Sequence, residues 1–164
     1  MHEYTFLDQL NNICMDLLKH KDRLIICIAG KPGAGKSTLG KNIRKNGFGN
    51  FSKYSISVID DSVMSIDLFY IFNKRIKIKT TKEDELMPFI KLLPKRKKLI
   101  FCVTAQPFKK ITFTDILILL EIKDETERIN RLVLRDGKFP SRHFSNSEQL
   151  IGDLKYDYLI NVEL

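Results

Sequence analysis

The sequence predicts a three-layer α/β domain, a roughly five-stranded parallel sheet flanked by helices, and three observations lead there. Short apolar runs alternate along the chain with segments of helical periodicity, the pattern of strand–helix–strand units. The runs are apolar at consecutive positions, as strands buried on both faces require. The first of them passes through a glycine-rich turn straight into a helix.

Residues 4–21 place Phe6, Leu7, Leu10, Ile13, Cys14, Leu17 and Leu18 at helical spacing, so an amphipathic helix opens the chain. Residues 24–29 (L-I-I-C-I-A) form a buried strand, and residues 36–45 a helix stopped by Asn46 and Gly47. A second strand over 54–59 ends in Asp60 and Asp61. Residues 73–79 alternate Arg75, Lys77 and Lys79 with Ile76 and Ile78, which fits a half-exposed strand or an extended loop. Thr81 caps a helix reaching Leu93, and Pro94 ends it. Residues 99–104 and 115–122 are further buried strands. Asp124 to Glu127 resembles a capping box and opens a helix through Arg135. Ser145 and Glu148 mark another helix start, and residues 156–162 make the last strand. In such a sheet ligands sit beyond the carboxyl ends of the strands, so the loops after Ala29, Ile59, Thr104 and Ile122 should share one functional edge.

The bulk numbers agree with a single domain over residues 1–164, long enough to bury its own core. The composition, 43% hydrophobic and 29% charged, excludes disordered and collagenous classes. Three widely spaced cysteines, Cys14, Cys27 and Cys102, form no C-x-x-C pair, which argues against a disulfide framework or zinc site and for a reducing cytoplasm. Glu3 and Asp8 near the start speak against a secretory signal, and no apolar run is long enough to span a bilayer. The formal charge of +8 favours anionic partners without choosing among them.

The specific signal is Gly30-Lys31-Pro32-Gly33-Ala34-Gly35-Lys36-Ser37, which satisfies G-x-x-x-x-G-K-[ST], with Thr38 following. It leaves a predicted strand and enters a predicted helix. Glycines allow the backbone to curl so that successive N–H groups point at phosphate oxygens, and the positive end of the helix adds to that field. Lys36 can then reach the β- and γ-phosphates, and the Ser37 hydroxyl can ligate Mg²⁺. A GTPase would add D-x-x-G and N-K-x-D; the first is absent and Asn73-Lys74 leads into Arg75-Ile76. A motor-like ATPase would end a hydrophobic strand in an acid, where residues 99–103 lead into Thr104, Ala105 and Gln106.

From these residues, together with Asp60-Asp61, the basic segment 127–137 and Tyr156-Asp-Tyr-Leu-Ile-Asn161, the chain resembles the small P-loop kinases. That nucleoside and nucleotide kinase-like group includes uridine kinase, dephospho-coenzyme A kinase and adenylylsulfate kinase. The resemblance implies a P-loop NTPase fold with a short lid, ATP and Mg²⁺ as cofactors, and transfer of the γ-phosphate to a small-molecule acceptor. It implies that Asp60 or Asp61 lies beside the acceptor hydroxyl or the metal's water shell. It also implies that Arg131 and Arg135, standing with Arg128 on one helical stripe, close a lid over the triphosphate, where an arginine fork holds phosphate bidentately. The acceptor could be a nucleoside, a nucleotide or a coenzyme precursor. The competing expectation is a non-catalytic or regulatory nucleotide-binding protein acting through an RNA or protein partner. Nucleic-acid binding is secondary, because no recognition motif accompanies the basic stretches, and a monomer or homodimer without membrane association is expected.

Overall fold

The computed structural model describes residues 3–60, 63–68, 72–77, 86–137 and 151–163. Asp61, the Thr81 cap and the helix start at Ser145 lie outside the described residues.

Five strands run parallel. They are β1 (Leu24–Gly30), β2 (Ile56–Asp60), β5 (Leu99–Val103), β6 (Phe113–Glu121) and β7 (Lys155–Glu163). The full order is β4-β3-β2-β5-β1-β6-β7, because β3 (Val63–Leu68) and β4 (Phe72–Lys77) extend the β2 edge as an antiparallel hairpin. Of the stretch 73–79, expected as a half-exposed strand or a loop, residues 73–77 belong to strand β4, and Ile78 and Lys79 lie outside the described residues. The five parallel strands expected from the sequence form a contiguous block, and among the described residues the hairpin brings the sheet to seven.

Strands β1, β2, β5 and β6 are buried on both faces, which explains their unbroken apolar runs, whereas β7 buries only Ile160 and Val162. Along β1 alternate residues serve opposite layers: Ile26 and Ile28 join Phe101, Ile116, Ile118, Phe6 and Leu10 on one face. Cys27 and Ala29 join Ile59, Cys102, Leu117 and Ile90 on the other. Helices α1 (Glu3–Leu17) and α2 (Lys36–Asn46) cover the first face, and the short α3 (Met87–Leu92) covers the second. Each buried Ile or Leu contributes about 1.5–3 kcal/mol through removal from water, and each face of the sheet carries its own core cluster. All three cysteines are buried and unpaired, as their apolar settings suggested.

Contacts at the amino end of the sheet fix the layers. The Arg23 guanidinium donates to the carbonyls of Ile90, Leu93, Pro94 and Lys97, satisfying orphan acceptors where α3 ends. Asp115 accepts from the Ile25 N–H and from Lys21 Nζ. In the basic run 95–98 Lys97 turns inward and donates to the Ile56 carbonyl, while its three neighbours are exposed. At the opposite edge, close packing sets where α2 begins. A β-carbon added at Gly40 would stand 2.9 Å from Val103 Cγ2, so this glycine lets α2 lie directly on the sheet.

Candidate functional site

The loop from β1 to α2 curls as its glycines predict. Gly30, Gly33 and Gly35 have φ of 149°, 86° and 83°. At Gly30 the lack of a side chain also matters sterically, since a β-carbon would fall 2.5 Å from the Leu120 carbonyl oxygen of the neighbouring strand. The Ala34 N–H closes a turn onto the Lys31 carbonyl, and the first intrahelical bond of α2 runs from the Leu39 N–H to the Gly35 carbonyl. The N–H groups of Lys36, Ser37 and Thr38 thus occupy the helix start, where no intrahelical acceptor exists and the helix field is positive. Lys36 Nζ sits within the loop, donating to the Gly30 and Lys31 carbonyls at 2.8 Å each.

In front of this loop lies a cleft of about 500 Å³. Its walls include Pro32, Gly33, Gly35, Lys36, Ser37 and Thr38 from the loop, Asp60 from the end of β2, and Arg131 and Leu132 from α4 (Glu125–Asp136). The strands converge here because β1, β5 and β2 are parallel neighbours whose carboxyl ends open onto the same edge. Ser37 Oγ stands 3.2 Å from Asp60 Oδ1. This pair of hard oxygens suits Mg²⁺, whose ligands about 2.0–2.1 Å from the ion stand about 3 Å apart at adjacent octahedral positions.

Of the residues expected from sequence, this edge unites Lys36, Ser37, Thr38, Asp60 and Arg131. Gly30, Lys31 and Ala34 shape the loop without lining the cleft. Arg135 belongs to α4, and only its backbone position is described. The expected stripe of three arginines does not hold for Arg128, which is buried and donates to the Pro32 carbonyl at 2.7 Å. Leu132 is buried one turn on, and Ile129 and Val133 are half-buried. Sequence reasoning missed Lys41, which lines the cleft one turn after Ser37, and it treated Thr104 only as a missing acid. Thr104 directly follows β5, which lies between the P-loop strand and the Asp60 strand, so the one described carboxylate lining the cleft comes from β2.

A family model described as an AAA domain matches residues 26–151, a span that holds the loop, Asp60 and α4. The chain belongs to that AAA-domain family. It is a P-loop nucleotide-binding domain with the α/β fold that the loop and the sheet order indicate. No curated protein and no solved structure gives a significant match to the chain. Helix α1 and strand β7 lie outside the matched span, and each lends a residue to a cavity that adjoins the cleft. A second cavity of about 250 Å³ shares Gly35, Thr38 and Arg131 with the cleft and is walled by Phe6, Leu39, Asn42, Leu120 and Val162. Among the described residues no cluster of three or more His, Cys, Asp or Glu could hold a metal alone. No described helix is long and apolar enough to cross a membrane.

Proposed function

We propose that the protein is an ATP-dependent kinase that transfers the γ-phosphate to a small-molecule acceptor. The observation that carries this reading is the convergence of Lys36, the Ser37–Asp60 pair and Arg131 on one cleft at the start of α2. The N–H groups at the start of α2 bind the phosphate oxygens, and Lys36 exchanges its loop carbonyls for the β- and γ-phosphates. Mg²⁺, held by Ser37 and Asp60 together with the phosphates, would offset charge on the transferring group. Arg131 approaches from the facing wall and neutralises charge that develops in transfer. Asp60, or Asp61 beyond it in the chain, accepts the proton from the attacking hydroxyl.

The adjoining cavity suits the base. Thr38 and Gly35 border both spaces, so a nucleotide with its phosphates on the loop directs its base toward Phe6, Leu120 and Val162. The Asn42 amide supplies a donor and an acceptor for the base edge there.

The acceptor class is tested by a thermal-shift screen of nucleosides, nucleotides and coenzyme precursors, each with a non-hydrolysable ATP analogue and Mg²⁺. A ligand bound only by the native state raises the melting temperature by mass action. The acceptor should act only when the analogue is present. The charge of +8 favours a second reading, a regulatory nucleotide-binding protein with an RNA or protein partner. A tight nucleotide complex without turnover on any acceptor selects that reading.

A further inference from the structure

A helical wheel puts Arg128 beside Arg131 on a solvent stripe, yet Arg128 is 3% exposed. Its guanidinium is held from two directions. Nε donates to Glu125 Oε2 at 2.8 Å and Nη2 to Glu125 Oε1, while Nη1 donates to the Pro32 carbonyl at 2.7 Å. Lys31 Nζ lies 3.9 Å from the same glutamate. The contact continues at Gly33, where a β-carbon would meet Leu132 Cγ at 3.0 Å and the Arg128 carbonyl oxygen at 3.1 Å. The crest of the phosphate loop therefore rests on α4 through backbone and side chain alike.

We propose that Arg128 is a positioning residue for triphosphate binding, setting the peptide plane between Pro32 and Gly33. It rests on the nucleotide-binding reading of the same cleft. In a trans peptide the carbonyl and the next N–H point in opposite directions. Holding the Pro32 oxygen toward α4 thus turns the Gly33 N–H away from α4, and Gly33 lines the cleft. The same clamp places Arg131, one turn along the helix, at a fixed distance from the loop. Only a planar fork bonds a carboxylate with two groups and a carbonyl with a third; a lysine ammonium lacks that geometry. Glu125 compensates the buried charge, so the clamp persists without ligand.

Arg128→Lys, Arg128→Gln and the wild-type chain are compared in titrations with Mg²⁺–tripolyphosphate and a non-hydrolysable ATP analogue. Each titration is run well below the melting temperature of the variant concerned. Both variants should bind both ligands roughly tenfold or more weakly, the scale of an ångström-sized misplacement. Arg128→Lys should recover melting temperature without recovering affinity, a split that a merely structural role does not produce. Folded Arg128→Lys with wild-type affinity for both ligands overturns the proposal, whatever its melting temperature. If Arg128→Gln does not fold, Arg128→Lys decides alone. A wild-type chain that binds neither ligand would instead overturn the nucleotide reading itself.

Discussion

Ser37 Oγ and Asp60 Oδ1 lie 3.2 Å apart, bringing the first turn of α2 against the end of β2. Neither residue is adjacent to the other in any element. The sheet order brings them together, and with a triphosphate present their shared ligand would be a divalent cation. Asp60→Asn should therefore weaken ATP binding roughly 10–100-fold in the presence of Mg²⁺. Binding measured in EDTA should change little. Equal losses with and without the metal would show that Asp60 does not serve the ion.

The tight approach of α2 to the sheet is a second handle. Gly40→Val introduces a β-carbon 2.9 Å from Val103 Cγ2 and lifts the helix that begins at Lys36. Overpacking of this kind costs about 1–3 kcal/mol. Denaturant melts should show that loss, and nucleotide affinity should fall with it because Lys36, Ser37 and Thr38 shift together.

Arg23 should behave oppositely. It satisfies four carbonyls at the amino end of the sheet, away from the cleft. Arg23→Met should cost about 1.5–3 kcal/mol of stability and leave nucleotide affinity of the folded protein unchanged. Lost affinity in a fully folded variant would contradict the division of the sheet into a structural and a functional edge.

The thiols set an alkaline limit. Burial pushes Cys102 from its usual 9.0 up to about 12, and burial plus the Asp115 charge does the same for Cys14. Lys21 is raised too, by its bonds to Asp115 and Asp157. A group whose native pKa is raised stabilises fully below its unfolded value, and the benefit is lost as pH climbs toward the native value. Stability should hold to about pH 9 and fall between 9 and 12, with Cys14→Ala and Cys102→Ala each flattening the slope. A maleimide at neutral pH should label the native thiols slowly and the denatured ones at once.

Four of the parallel strands, β1, β2, β5 and β6, were legible because burial on both faces leaves unbroken apolar runs, and the ends of all five moved by only a few residues. The phosphate loop was legible because its chemistry is local: strand, glycines, lysine and helix follow in sequence. Asp60 was legible as a strand-end acid, but its partnership with Ser37 depends on β5 inserting between β1 and β2. The burial of Arg128 and of Lys97 escaped the sequence for one reason. Charge predicts exposure, and each is buried by partners that only tertiary structure supplies, Glu125 and the Pro32 carbonyl for one and the Ile56 carbonyl for the other. Phe6 and Val162 lie at opposite ends of the chain, and no local pattern could place them around one cavity.

Calorimetric titration of ATP with Mg²⁺ into the wild-type chain and into Lys36→Ala tests the phosphate site most directly. Saturable one-site binding by the wild type, weakened at least tenfold (about 1.4 kcal/mol or more) in the folded variant, is the expected result. Equal affinity in the two proteins, or no binding by either, would contradict a triphosphate seated on this loop.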